Sequence, residues 1–228
     1  MKTGGGSAAH KRRAGQRAAE DVTDGMVVGL GTGSTTRYAI DALGEAVEDG
    51  LEIQGIPTSL QARRTAIDAG IPLVGLDEVE AVDLAIDGAD QVADGALIKG
   101  GGGAHVDEKV VAAAADRFVV VADPSKLRPT LERSVPVATI PHARPLVAER
   151  VRAAGGEPTL RGAEAKDGPV ITENGNLVID CAFGPLSEPA SLSAKLSAIP
   201  GVVDHGLFVD LADAVYVGTD EGVDFRQY

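Results

Sequence analysis

Between Met26 and Ala122, short apolar runs alternate with helix-compatible segments, and this alternation restricts the fold more than any other feature of the chain. Met26 to Leu30 reads as a strand. Thr35 to Val47 follows as a helix, with Tyr38, Ile40, Leu43 and Val47 on one approximate face. Leu51 to Ile56 is a second strand, and Ser59 starts a helix that runs to about Ala69 and stops at Gly70. Val82 to Ile86 is a third strand and His105 to about Ala115 another helix. Arg117 to Ala122 (RFVVVA) is continuously apolar, as expected of a strand covered on both faces. Such spacing predicts an α/β fold with a parallel, doubly wound sheet, whose ligands bind beyond the carboxyl ends of the strands. Loops 31–36, 57–60, 87–90 and 123–126 all fall at such ends.

The pattern changes after about Leu131. Val135 to Ile140 reads as a strand, Arg144 to Ala154 as a helix and Glu157 to Arg161 as a short strand. Pro169 to Thr172 and Asn176 to Asp180 flank Glu173-Asn174-Gly175, a hairpin signal because Asn-Gly suits a type I′ turn. A helix from about Pro189 to Ala198 completes a series expected to form a small α+β domain with an antiparallel sheet. Gly206 to Val209 and Ala214 to Gly218 are apolar strands read as returning to the first sheet. The expected domains are 1–131 plus 208–228, and 132–207. Ahead of all this, residues 1–9 are flexible by composition and His10 to Val22 is helix-compatible.

At 228 residues the chain can bury a good core, but aromatics are only 3% and Trp is absent, so Val, Ile, Leu and Ala must fill it. Few aromatics also weigh against single-stranded nucleic acid, which favours stacking platforms. A formal charge of −13 opposes nucleic acid and anionic membranes, so an anionic substrate would need a local positive pocket. Seven lysines against fourteen arginines, on an acid-rich chain, suggest adaptation to high salt. No apolar stretch approaches the ~20 residues that span a bilayer, and AGQRAAEDV after Arg12-Arg13 is too polar for an export signal. The expected location is cytoplasmic. Cys181 is the single cysteine and reads as an inert buried thiol within LVIDCAF.

Four motifs carry chemistry. In Gly29-Leu30-Gly31-Thr32-Gly33-Ser34-Thr35, backbone N–H groups and the hydroxyls of Thr32, Ser34 and Thr35 can hold a phosphate at a helix N-terminus. Ser34 stands where a dinucleotide fingerprint needs its third glycine, and the lysine of a P-loop is missing. A plain capped turn is the alternative. Asp87-Gly88-Ala89-Asp90 puts two carboxylates at a strand end. They could handle hydroxyl protons or, with Asp94 and Asp107, ligate Mg²⁺. Lys99, the run Gly100 to Gly103 and Glu108 follow. A glycine run implies close backbone approach or positive φ, while acids and a lysine around it suit bound negative charge and proton movement. For Glu108 in a first helical turn, the helix dipole favours the charged form and burial the neutral one. Lys126, in Asp123-Pro124-Ser125-Lys126, is placed to bind an anion. The histidines show no metal spacing; His105 is read as structural or at the rim of a site.

GLGTGSTTRYAIDALG, DGAD, LIKGGGGAHVDEKVV, VVVADPSKL, ITENGNLVID and IPGVVDHGLF occur in the order and spacing of one family. From about Lys11 to Val223 the chain resembles ribose-5-phosphate isomerase of the A type. The resemblance implies an aldose–ketose isomerase that needs no cofactor or metal and interconverts ribose 5-phosphate and ribulose 5-phosphate through an enediolate. Glu108 would move the proton between C1 and C2. Asp87 and Asp90 would handle hydroxyl protons and ring opening. Lys99, with the N–H groups of Gly100 and Gly101, would stabilise the enediolate oxygen. Thr32, Gly33, Ser34, Thr35 and Lys126 would bind substrate, chiefly its phosphate, helped by Lys11, and Gly88, Ala89 and Gly102 belong to the substrate-binding stretches. The resemblance also implies a Rossmann-like first domain completed by C-terminal strands, a smaller ferredoxin-like lid domain, and a homodimer or homotetramer. Local departures are His105, Val106 and Asp107 before Glu108, and His142 in IPHARP. A non-catalytic sugar-phosphate sensor is the alternative of another class, although the 25 residues before the first strand leave room for only one helix rather than a DNA-binding extension. Another sugar-phosphate isomerase or a deaminase on a similar scaffold is a further alternative.

Overall fold

The computed structural model describes residues 6–165 and 167–228. The expected flexible segment 1–9 therefore lies partly outside the described residues. Its last two residues instead open the first helix, α1 (Ala8–Ala19), because the Ser7 side chain caps it by accepting from the Ala9 N–H at 3.2 Å. The chain divides into two compact units. Among the described residues the larger takes 6–89, 107–127 and 211–228, and the smaller takes 90–106 and 128–210. Beyond the span 132–207 read from the pattern, the smaller unit thus includes 90–106, 128–131 and 208–210.

The larger unit is built on one six-stranded sheet, with labels following chain order. Strands β1 (Val27–Leu30), β2 (Gln54–Pro57), β3 (Leu84–Gly88), β6 (Phe118–Ala122) and β12 (Ala214–Gly218) are parallel in the order β2-β1-β3-β6-β12. The edge strand β13 (Val223–Gln227) runs antiparallel to β12 and had no clear sequence signal. On one face, Val28, Leu30, Leu84, Ile86, Val119, Val121 and Tyr216 share a core with α1, α2 (Thr36–Glu48) and α3 (Leu60–Asp68). On the other, α4 (His105–Ala114) brings Val111 against Gly29 and Ala85. Helices on both faces explain why these strands read as unbroken apolar runs. Successive strands add to opposite sides of β1, so the order reverses between β1 and β3, and the carboxyl end of that pair is the crevice such sheets offer to ligands.

In the smaller unit, β7 (Val135–Thr139), α5 (Arg144–Ala153), β8 (Glu157–Leu160), β9 (Leu177–Ala182), α6 (Pro189–Ser197) and β10 (Val202–His205) form a βαββαβ unit. Its antiparallel sheet is ordered β10-β7-β9-β8, the ferredoxin-like arrangement. Val135, Val137, Val147, Val151, Ile179, Cys181 and Leu196 fill its core. A second sheet of three strands joins β4 (Gln91–Ala93), β5 (Ala96–Ile98) and β11 (Leu207–Phe208). This corrects the reading of 206–209 as a return to the first sheet. Gly206 accepts from the Lys99 N–H and donates to Pro136 O, which leaves Leu207 and Phe208 paired with β5. The turn at Glu173–Gly175 forms, closed by Thr172 N–H to Asn176 O at 2.9 Å. Its first arm makes only isolated bridges at Pro169 and Ile171, since proline cannot supply a ladder donor. Among the described residues no helix is long and apolar enough to cross a membrane.

One polar cluster sits at the edge of the larger unit's core. Asp21 accepts from Arg17 at 2.7 Å and from the Tyr216 hydroxyl at 2.6 Å, and Arg117 lies 2.8 Å away. Burial pushes the Asp21 carboxyl up, but the bonds from Tyr216 and Arg17 and the charge of Arg117 outweigh it and hold the group below the usual range. With the folded value below the unfolded one, near 3.9, the stabilisation is complete above about pH 4 and fades as pH falls through the lower folded value. Asp21→Asn should therefore lower stability by about 1–3 kcal/mol at neutral pH, and the gap from wild type should narrow in acid. Urea titrations across that range test this; a gap that stays constant with pH would contradict it.

Candidate functional site

In the larger unit, the β1–β3 switch point brings loop 31–36 against Asp87. Gly31 N–H donates to Ile86 O at 2.9 Å, and Asp87 Oδ1 accepts from Thr32 N–H at 3.0 Å and from its neighbour Gly88 N–H at 2.6 Å. Asp87 is buried. A Cβ on Gly31 would collide with the Asp87 carboxylate, so glycine is what allows the backbone to come this close.

Beyond Gly31 the chain enters α2 through Gly33, at φ +138°, and exposed Ser34. Thr35 is the N-cap but makes no side-chain capping bond; in the first turn Arg37 N–H donates to Gly33 O at 3.0 Å and Tyr38 N–H to Thr35 O at 3.1 Å. The Thr36 hydroxyl is buried with no hydrogen-bond partner, and it faces the Cα of Gly88. Sequence reading missed Thr36, although the Thr35-Thr36 pair was the available signal. The Thr32 hydroxyl instead turns to Ser59 at 2.6 Å and Thr58 at 3.1 Å. Ser59 also caps α3, accepting from Ala62 N–H at 3.0 Å. Thr32 thus serves to moor the loop to the end of β2.

At the end of β6, Asp123 is fully buried and its Oδ1 accepts from Ser125 N–H at 2.8 Å, closing the short turn that carries half-buried Lys126. Lys11 is half-buried in the first half of α1. Next to it Arg12 lies over the Tyr38 ring, and Gly15 abuts Ala39 at the start of α2. Glu108 is only 6% exposed and sits in the first turn of α4.

In the smaller unit, the segment 90–103 is shaped by the β4–β5 hairpin. Asp94, at φ +45°, and Gly95, at φ +78°, form its two-residue turn, and the Asp-Gly pair is the local signal for it. Asp94, a candidate metal ligand by sequence, thus has a structural role in this turn. Among the described residues no three His, Cys, Asp or Glu side chains gather in a way that could hold a metal ion. The hairpin fixes Asp90, whose N–H donates to Ile98 O at 2.8 Å. Lys99 is 2% exposed, with Nζ 5.5 Å from the centre of the Phe208 ring.

The glycine run then turns tightly, with Gly103 N–H donating to Gly100 O at 3.0 Å. Gly101 N–H donates to Asp90 Oδ2 at 2.7 Å, so this proposed oxyanion donor is already committed to a carboxylate. Gly102 is exposed. His105 is fully buried with its ring packed on Gly100, so it belongs to the interior rather than a rim. Arg161, not singled out from the sequence, donates through Nη1 to Gly100 O at 2.9 Å and pairs through Nε and Nη2 with Asp180.

The model of the family "Ribose 5-phosphate isomerase A (phosphoriboisomerase A)" matches residues 54–222. The chain belongs to the ribose 5-phosphate isomerase A family. It is 64% identical to ribose-5-phosphate isomerase A of Natronomonas pharaonis, over 99% of this chain and all of that protein, and 60% identical to that of Halobacterium salinarum, over 99% of each. The structure of ribose 5-phosphate isomerase A from Methanocaldococcus jannaschii matches with a TM-score of 0.92 at 44% identity, covering 96% of this chain and 98% of that one. A D-ribose-5-phosphate isomerase solved in complex with phospho-erythronic acid matches at 0.93 and 43%, covering 96% and 97%. The α/β Rossmann-like sheet with a smaller α+β lid is therefore the fold of this family.

Cys181 is buried in the small unit's core, and burial, then the Asp180 charge, push its thiol up to about 12. It should resist a thiol reagent at pH 8 in the native protein and react in urea; rapid native labelling would contradict this. Gly31→Ala should cost about 1–3 kcal/mol from overpacking, read as a lower urea midpoint, and an unchanged midpoint would show that the Asp87 contact can yield.

Proposed function

We propose that this protein interconverts D-ribose 5-phosphate and D-ribulose 5-phosphate through an enediolate, serving the non-oxidative pentose phosphate reactions without a cofactor. The observation that carries the reading is the switch point of the larger sheet. There a helix N-terminus without a side-chain cap, with a buried, partnerless threonine hydroxyl, lies next to a buried carboxylate that accepts from two N–H donors. The first feature suits a phosphate and the second suits handling of sugar hydroxyl protons.

In this reading Thr32, Gly33, Ser34, Thr35, Lys126 and Lys11 hold the phosphate end, with Thr36 added. Phosphate binding remote from the reacting carbons orients them. Asp87 and Asp90 handle hydroxyl protons and ring opening, near Gly88 and Ala89. Glu108 moves the proton between C1 and C2. A carbon acid ionises reluctantly, so the developing oxyanion needs a cation or N–H donors; Lys99 and the Gly100 N–H supply them, while Gly101 N–H keeps Asp90 in place. The division into a catalytic domain, 1–131 plus 208–228, and a lid domain, 132–207, is part of the proposal, as are a cytoplasmic location and a homodimer or homotetramer.

Purified protein, ribose 5-phosphate and no added metal, assayed at low and high salt, should yield ribulose 5-phosphate. Binding without turnover under every condition would favour the sugar-phosphate sensor instead. Glu108→Gln should lower kcat by about 10²–10⁴-fold with KM little changed, and full activity in that variant would remove Glu108 as the base. Loss of activity in EDTA would revive a metal role for the aspartates.

A further inference from the structure

We propose that Arg161, held by Asp180, is a positioning residue for the isomerase reaction: it locks the Gly100–Gly101 peptide in the one orientation that aims its N–H at Asp90. The inference rests on the functional reading above, in which Asp90 and this glycine run belong to the reacting site.

The geometry is a relay of directional bonds. Thr159 of β8 is paired with Asp180 of β9, and Arg161 lies two residues further on, diagonal to Asp180. Its backbone is fixed on both sides, N–H to Val178 O and carbonyl to Val170 N–H, both at 2.9 Å. Asp180 takes the Nε–Nη2 edge of the guanidinium. This leaves Nη1 aimed at the glycine run, 2.9 Å from Gly100 O and 3.4 Å from Gly101 O. The fixed fork of five donors lets one arginine serve a carboxylate and a carbonyl at once, which a single ammonium on a flexible stem does poorly. The Arg161 side chain is 12% exposed and Asp180 27%, so the pair is partly shielded from water.

The Gly100–Gly101 peptide needs such a restraint. With no Cβ on either side, glycines cross readily between positive and negative φ, and the peptide plane between them can turn over. In the observed orientation its oxygen meets Arg161 and its N–H meets Asp90 Oδ2 at 2.7 Å. A turned plane would point the carbonyl oxygen at the Asp90 carboxylate and the N–H at the guanidinium, repulsive on both sides. The cation on one face and the anion on the other therefore select the same orientation. Asp90, Lys99 and the adjoining Gly100 N–H all depend on where that plane sits.

A cavity of about 510 Å³ lies against the relay, lined by Asp90, Gly101, Arg133, Arg161 and Asp180 among others. It gives a small cation access to the place of the Arg161 head group and makes chemical rescue a usable test. The experiment compares wild type, Arg161→Ala, Arg161→Lys and Asp180→Asn for kcat, KM and melting temperature. It adds amide exchange at Gly101 by NMR, and activity with millimolar guanidinium. Arg161→Ala should lose about 10–100-fold in kcat, the scale expected of a small misplacement, with KM within about threefold of wild type. Guanidinium should restore part of that loss, and Gly101 amide exchange should quicken. Arg161→Lys keeps charge and bulk and should fold, yet remain impaired in kcat; Asp180→Asn should lose less than Arg161→Ala. If wild type turns over ribose 5-phosphate while Arg161→Lys and Arg161→Ala keep its kcat and its Gly101 exchange, the inference fails and the functional reading stands. A lower melting temperature with unchanged kcat would likewise reduce Arg161 to a structural ion pair and overturn the inference. Absence of turnover in wild type would sink the functional reading itself, leaving Gly101 exchange to judge the restraint alone.

Discussion

The larger unit depends on how closely the end of β1 approaches the end of β3. Where the strand order reverses, Gly31 lies on the Asp87 carboxylate and Thr32 donates to it. A buried carboxylate is costly unless charge-assisted hydrogen bonds replace its hydration. Here two backbone N–H groups do so, and only a residue without a side chain lets the loop come near enough to provide them. The same approach sets where α2 begins, hence where its first-turn N–H groups point. One contact thus sets both the carboxylate's surroundings and the helix register.

A second arrangement of the same kind organises the smaller unit. Asp90, Gly101 and Arg161 alternate anion, peptide and cation, so each partner's orientation is decided by the next. In both units a carboxylate accepts from backbone N–H donors. That suits a chain carrying −13 with only seven lysines, because backbone donors add no charge and are not displaced by salt ions as readily as exposed ion pairs.

Much of the fold was legible because burial imposes periodicity. The strands at 27–30, 84–88 and 118–122 are covered on both faces and read as apolar runs, and Ser59 announced α3 because a cap has a local chemical signature. The hairpin 91–98 was not read, although Asp94-Gly95 marks it, because three-residue strands are too short to show alternation. Leu207 and Phe208 were assigned to the wrong sheet: an apolar dipeptide says that it will be buried, not against what.

The candidate site divides along the same line. From the sequence alone one could read that glycines at 31 and 100–103 allow close backbone approach, that Asp87, Asp90, Lys99 and Glu108 are candidate reactive side chains, and that residues 32–35 suit an anion. Those conclusions follow from residue chemistry and local spacing. Only the tertiary structure decided what the glycines approach, that the Gly101 N–H donates to Asp90, that the Thr32 hydroxyl moors a loop, that the Thr36 hydroxyl is buried, and that Arg161 reaches the glycine run. Arg161 lies 60 residues from Gly101 and is one arginine among fourteen. A hydrogen bond across that separation leaves no mark in local sequence, because strand pairing rather than chain neighbourhood brings its ends together.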